Sequence, residues 1–108
     1  MSYDVYLEID TGGGGPAVLG DSLNYTYNCG PMFRLALGRD GINSLEGELA
    51  GTAIQTLRSG IAEMEDEPGK YKALNPGNGW GSYEGALQFL RDILTACVRH
   101  PKATIRVR

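Results

Sequence analysis

Cys29 and His100 are the side chains whose types could together do nucleophilic chemistry. A thiol just ahead of a helix start can have a lowered pKa, and an imidazole could serve as its base. Cys29 falls at a strand-to-helix turn and His100, the single histidine, at a helix-to-strand turn, with no third group placed to orient the ring. Glu8, Asp10 and Glu84 would form an acid–base set only if the fold brought them together, and pairing with surface arginines is the simpler expectation. Glu63, Glu65, Asp66 and Glu67 gather the oxygens a hard cation takes, but at the end of a helix, where a solvated exit is the commoner role. We therefore expect no catalytic residue, no metal site and no cofactor.

Binding chemistry has two better-formed sources. The first is the stretch Leu74 to Gly85, which holds the only tryptophan, Trp80, among closely spaced glycines. Asn75-Pro76 ends any preceding helix, and Asn78-Gly79 is a turn pair whose members both tolerate positive φ. Ser82 suits the N-cap of a helix starting at Tyr83, with Glu84 in the first turn, where the macrodipole favours negative charge. The amides near Gly81 and Ser82 could hold an anion while Trp80 stacks on a base, although Glu84 opposes an anion there. The simpler expectation is that Trp80 folds back as a lid on the core. The second source is Leu23 to Asn28, which alternates Leu23, Tyr25 and Tyr27 with Asn24, Thr26 and Asn28, as a strand does. Asn24 and Asn28 offer amides, and Tyr25 and Tyr27 offer anchoring or stacking surface. The candidate ligand- or partner-binding set is accordingly Asn24, Tyr25, Tyr27, Asn28, Trp80, Gly81 and Ser82.

Length and composition bound the rest. A chain of 108 residues is sized for a single α+β domain, residues 1–108. A formal charge of −3 with scattered basic residues is not the footprint of a duplex nucleic-acid binder. No run is long enough to span a bilayer and no signal peptide is apparent, so a cytoplasmic protein is expected. Two cysteines make no disulfide framework. No CxxC, HExxH, P-loop or dinucleotide-binding glycine pattern is present.

The elements that must position these residues follow from periodicity. Tyr3, Val5, Leu7 and Ile9 alternate with polar residues as a strand with one buried face. Thr11 and Gly12 to Gly15 read as a mobile hairpin connection, and Gly20-Asp21 as a turn before the Leu23–Asn28 strand. Pro31 starts a short helix over Met32 to Leu37 that ends at Gly38, and Ile42 and Leu45 tuck under the core. From Leu49, the residues Ala50, Ala53, Ile54, Leu57, Ile61 and Met64 make one stripe of a longer helix, which Gly60 weakens. Asp66 is the expected cap of a short helix at Pro68, with Tyr71, Ala73 and Leu74 inward. The last helix runs from Tyr83 to about Arg99, with Leu87, Leu90, Leu94 and Cys97 central to a broad apolar face flanked by Ala86, Phe89, Ile93 and Val98. Ala103, Ile105 and Val107 face inward in a final strand whose Lys102, Arg106 and Arg108 oppose in sign the Asp4, Glu8 and Asp10 of the first strand. The terminal strands should therefore be neighbours.

These residues also carry a resemblance. Tyr3 to Gly13, Asn24 to Asn28 followed by Pro31-Met32, Tyr71 to Ser82, and His100-Pro101-Lys102-Ala103-Thr104 together resemble a group of small accessory proteins encoded by tailed phages and prophages. The glycine run at Gly12 to Gly15 is longer than the turn found there in that group. The resemblance implies a phage origin and a bacterial host cytoplasm; it brings no activity with it.

The expectation is an α+β fold: a small, mainly antiparallel sheet of two or three strands, terminal strands adjacent, packed on one face by two main helices, with short helices besides. The expected function is a non-catalytic phage binding protein acting on a host or defence component, by protein contact or by sequestering a small nucleotide-like ligand. A structural or virion-associated homo-oligomer is the alternative, and a small hydrolase the second.

Overall fold

Alternation in the first strand sends Tyr3, Val5 and Leu7 into the core, and these set the plane on which everything else packs. The computed structural model describes residues 1–108. Its strands β1 (Ser2–Asp10), β2 (Pro16–Thr26) and β3 (Thr104–Val107) form a three-stranded antiparallel sheet in the order β2-β1-β3, and with its helices this is an α+β fold. The terminal strands are neighbours: Val5 faces Val107, and Glu8 faces Thr104. The charge pattern contributes through Glu8, which accepts from Arg106 at 3.1 Å. Asp4 does not follow it: its carboxylate accepts from Asn24 at 2.9 Å, while Arg106 and Arg108 reach Glu46 at 3.6 and 3.3 Å.

The helices are α1 (Gly30–Leu37), α2 (Ala50–Asp66), α3 (Pro68–Lys72) and α4 (Tyr83–Arg99). α4 lies across β2 and β1, and α2 packs against α4 and α1. No helix is long and apolar enough to cross a membrane. One hydrophobic cluster joins all the layers, with an aromatic chain at its centre: Tyr3 meets Phe33 edge-on at 5.7 Å, Phe33 meets Phe89 at 5.8 Å, and Tyr25 stacks on Phe89 at 5.5 Å. Such pairs add about 0.5–1.5 kcal/mol each beyond their burial.

Several expectations are corrected. Gly20-Asp21 is not a turn between elements but lies inside β2, where Gly20 takes φ +72°. Leu19 pairs with Leu7 and Leu23 with Val5, so Gly20 to Ser22 bulge outward opposite Tyr6. Tyr27 and Asn28 have left the strand and form a 3-10 turn with Cys29. Ile9 is 36% exposed because β3 reaches only as far as Glu8, and the hairpin beyond is two-stranded. The glycine connection is a 3-10 turn, Gly12–Gly14, with the Asp10 carboxylate accepting from the Gly12 amide at 2.8 Å. Val98 and Ala73 are exposed rather than inward. α3 is preceded by Glu67, with no side-chain cap, so Asp66 does not serve there.

α2 also begins without a side-chain cap. Its first amides are taken by main-chain carbonyls instead, Ala50 donating to Ala103 and Gly51 to Pro101, each at 2.8 Å. Gly60, read as a weak point of this helix, is where α2 approaches α1. A Cβ there would lie 2.7 Å from Leu37 Cδ2 and 3.2 Å from the Ala36 carbonyl. Gly60→Val is therefore expected to lower stability by about 2 kcal/mol in urea unfolding, despite valine's better helix propensity. An unchanged midpoint would mean that α1 yields without cost.

Candidate functional site

Ser82 and Gly81 tie the tryptophan loop to the end of β2. The Ser82 amide donates to the Tyr25 hydroxyl at 3.0 Å, and the Ser82 carbonyl accepts from Tyr25 at 3.3 Å and from the Cys29 thiol at 3.8 Å. Ser82 is also the N-cap the sequence marks, its hydroxyl accepting from the Gly85 amide at 3.0 Å. The Tyr83 amide donates to Asn75 Oδ1 at 2.8 Å. Gly81 takes φ +101°, and a Cβ on it would sit 2.7 Å from both Cys29 Sγ and Thr26 Cγ2. The glycine is required on both counts.

With the root of the loop held this way, Trp80 projects outward, 68% exposed. The expected lid on the core is thus overturned, and Gly81 and Ser82 provide the closure. Asn78-Gly79 makes the expected turn, with the positive φ on Gly79. Asn78 works through its side chain, its Oδ1 accepting from the Trp80 amide at 2.9 Å and its Nδ2 donating to Asn28 Oδ1 at 3.2 Å. Asn28 Nδ2 donates in turn to Thr26 Oγ1 at 2.8 Å. A relay of neutral groups therefore runs from the strand end to the tryptophan.

An open groove of about 480 Å³ lies beside this relay, lined by Ser2, Asn24, Thr26, Asn28, Asn78 and Trp80 together with Met1. No charged side chain lines it. Asn24 spends its Nδ2 on Ser2 Oγ at 2.8 Å, the Tyr3 carbonyl at 3.1 Å and Asp4 at 2.9 Å, which leaves its Oδ1 free to accept. Tyr27 borders the same end of the sheet, 39% exposed, its ring edge-on to Tyr3 at 4.5 Å.

Of the expected site residues, the structure brings Asn24, Asn28 and Trp80 together around the groove, with Tyr27 near by. Tyr25, Gly81 and Ser82 stand behind it as supports. The Tyr25 ring is occupied by Phe89 and its burial pushes the hydroxyl pKa up, so it is not a stacking surface for a ligand. Of the two amides expected to make an anion contact, that of Ser82 already has its acceptor, while that of Gly81 makes no hydrogen bond. Ser2, Thr26 and Asn78 are members that the residue-by-residue reading did not assign. Asn78 had a signal: an asparagine two residues before the tryptophan can hydrogen-bond its amide and fix its direction.

The nucleophile reading does not hold. Cys29 is fully buried, and burial pushes its thiol up rather than down. It packs under the N-cap of α4 while His100 follows the last residue of that helix, whose seventeen residues span about 25 Å. Glu63 takes Lys70 at 3.0 Å and the Tyr71 hydroxyl, and Glu65 takes Arg91 at 2.6 Å, so these carboxylates have protein partners. No protein-family model, curated protein or solved structure matches the chain. Its function must therefore be argued from the chemistry of the groove.

Two outcomes check this geometry. Gly81→Ala is expected to lower stability by about 2 kcal/mol, from strained φ and contact with Cys29, and to make Trp80 emission broader as the loop loosens. Burial pushes the Cys97 thiol up to about 11, above its ordinary 9.0. A group that holds its proton more tightly when folded gives its full stabilisation below pH 9 and loses it as pH rises towards 11. The melting temperature of Cys97→Ala should therefore fall less steeply than wild type across that window; parallel curves would show that the thiol does not titrate differently on folding.

Proposed function

We propose that this chain is a non-catalytic binding protein, of the accessory kind that tailed phages encode, acting on a host or defence component through the surface around Trp80. One observation carries the reading: a tryptophan 68% exposed on a loop whose main chain is tied by hydrogen bonds at Trp80, Ser82 and Tyr83. Exposing an indole leaves apolar surface in water, and a loop already tied at its root has less to order when a partner arrives. Tryptophan and tyrosine are also the side chains enriched among interface anchors. Trp80 lines a groove that carries amide and hydroxyl side chains and no charged one, and Tyr27 is 39% exposed at the same end of the sheet.

The same details favour protein contact over a nucleotide-like ligand. A phosphate would find no basic side chain in the groove and the Ser82 amide already taken, with the Met1 amino group the one cation among the lining residues. A base would need a second aromatic face, and Trp80 is the only aromatic that lines the groove. Self-association is the second reading, favoured by the exposure of Val18 on the outer face of the sheet, where Asn24 and Trp80 are also exposed.

Acrylamide quenching of Trp80, titrated with bacterial host lysate fractions and with nucleotides, tests these readings. Free protein should quench readily, one protein fraction should protect the indole, and nucleotides should leave it unchanged. Trp80→Ala should shift the unfolding free energy by no more than about 0.5 kcal/mol, as surface changes do, while weakening partner binding by about 2 kcal/mol or more. Protection that rises with protein concentration alone would replace this reading with the oligomer. An indole that nothing protects would remove the site.

A further inference from the structure

The two outer edges of the sheet are treated differently. The edge of β3 is closed by the chain itself: Gly47 donates to the Ile105 carbonyl at 2.9 Å, Ile105 donates to Glu48 at 2.8 Å, and Leu49 bridges Thr104. β2 is the other edge, with β1 on one side and no strand on the other.

Which main-chain groups β2 presents follows from register. Asp4 exchanges both main-chain hydrogen bonds with Arg108, at 2.9 and 2.8 Å, so its amide and carbonyl point to β3. Alternation then turns Tyr3 and Val5 toward β2, where they face Tyr25 and Leu23. Asn24, between those two, points its amide and carbonyl away from the sheet, and Thr26 follows the same parity. The bulge at Gly20 to Ser22 breaks the straight edge on one side, and the 3-10 turn from Tyr27 ends it on the other. What is left is a short regular stretch, Leu23 to Thr26, whose side chains Asn24 and Thr26 line the tryptophan groove.

We propose that this edge and the groove beside it take an extended, uncharged polypeptide segment of another protein, which adds to β2 as a fourth strand and seats an apolar side chain against Trp80. The inference rests on the binding reading above and names the form of the partner. A peptide main chain is neutral and offers donors and acceptors alternately, which is what the exposed edge and the free Asn24 Oδ1 match. Strand addition of this kind draws affinity from main-chain hydrogen bonds and specificity from pockets for alternate side chains. The amides of Asn28 and Asn78 are already oriented by Thr26 and Trp80, so the groove is organised before anything binds. A second copy suits the edge less well. Paired about a two-fold axis through Leu23 to Thr26, it would bring its own Gly20–Ser22 bulge against the Tyr27–Cys29 turn.

The probe is a random heptapeptide display library selected on the purified full chain, with the leading peptide then synthesised and titrated by fluorescence anisotropy. Binding should fall at least about tenfold in Trp80→Ala. Asn24→Ala keeps the edge amide and Asn24→Pro removes it, so the proline variant should bind about tenfold more weakly than the alanine variant, the worth of one main-chain hydrogen bond. Hydrogen exchange of the Asn24 and Thr26 amides in the wild-type chain, slowed when peptide is added, checks the same point without relying on a proline variant that folds. Peptide binding that depends on Trp80 but leaves those amides unprotected, with the two Asn24 variants equal, would overturn strand addition and leave the groove as a binding site. A library with no binder, alongside a host component that still protects Trp80, would overturn the peptide and keep the wider reading. Light scattering that shows a dimer lost in Asn24→Pro would assign the edge to a second copy and overturn the proposal.

Discussion

Tyr25 holds the core and the candidate site in one side chain. Its ring stacks on Phe89 of α4, and its hydroxyl bonds both the amide and the carbonyl of Ser82, the residue that caps the same helix. Position along β2 thus fixes where α4 begins, and where α4 begins fixes the direction in which the loop leaves. A half-buried tyrosine hydroxyl needs partners because leaving it unpaired would cost about 1–3 kcal/mol. Here that requirement is met by the loop rather than by water. The exposed Trp80 is the result: once Gly81 is pressed against Cys29 and Thr26, no room remains beneath the loop for an indole.

Much of this fold was legible because it rests on periodicity. The period-2 runs of the first and last strands, the apolar stripe of Ala50 to Met64 and the face of the last helix each bury a regular set of side chains, and the structure places them accordingly. The Ser82 cap and the stop at Gly38 were readable for another reason: capping needs specific side chains or a positive φ, and few residues supply either. What was not legible depends on partners remote in sequence. The apolar stripe placed the start of α2 at about Leu49, but not the carbonyls of Pro101 and Ala103, about fifty residues away, that take its first amides. Gly20-Asp21 has the composition of a turn, but strand pairing on both sides absorbs it as a bulge. Tertiary pairing decides that outcome, and composition does not encode it.

The candidate site divides along the same line. Asn24, Asn28 and Trp80 were recognisable as side chains with binding chemistry, and the groove gathers them. Tyr25 and Ser82 were read as contacts and are supports, because nothing in the sequence says which of two alternating tyrosines meets a helix and which meets solvent. Tyr25 falls beneath α4, whereas Tyr27 has passed the end of the strand and is partly exposed. The lid expected of Trp80 follows a sound generalisation about aromatic burial in small domains. It fails here because the aromatic core is already filled by Tyr3, Tyr25, Phe33 and Phe89.

The absence of charged side chains from the groove is informative in a chain where charged residues are 21% of the sequence. Charges surround it, as in the Glu8, Glu46, Arg106 and Arg108 network at the β1–β3 side of the sheet. Within it the polar side chains are amides and hydroxyls, partnered by one another, by main-chain groups and, for Asn24, by the Asp4 carboxylate. An arrangement of that kind carries little long-range electrostatic steering, and its selectivity must come from short-range fit: hydrogen-bond direction and the shape around an indole. A charged ligand would surrender hydration without finding a counter-charge, whereas a neutral segment with alternating donors and acceptors surrenders less and regains more. The closed β3 edge points the same way. A fold that covers one sheet edge with its own residues 46–50 and leaves the other open at Asn24 and Thr26, which line the groove with Trp80, keeps its unpaired main-chain groups near its best anchor.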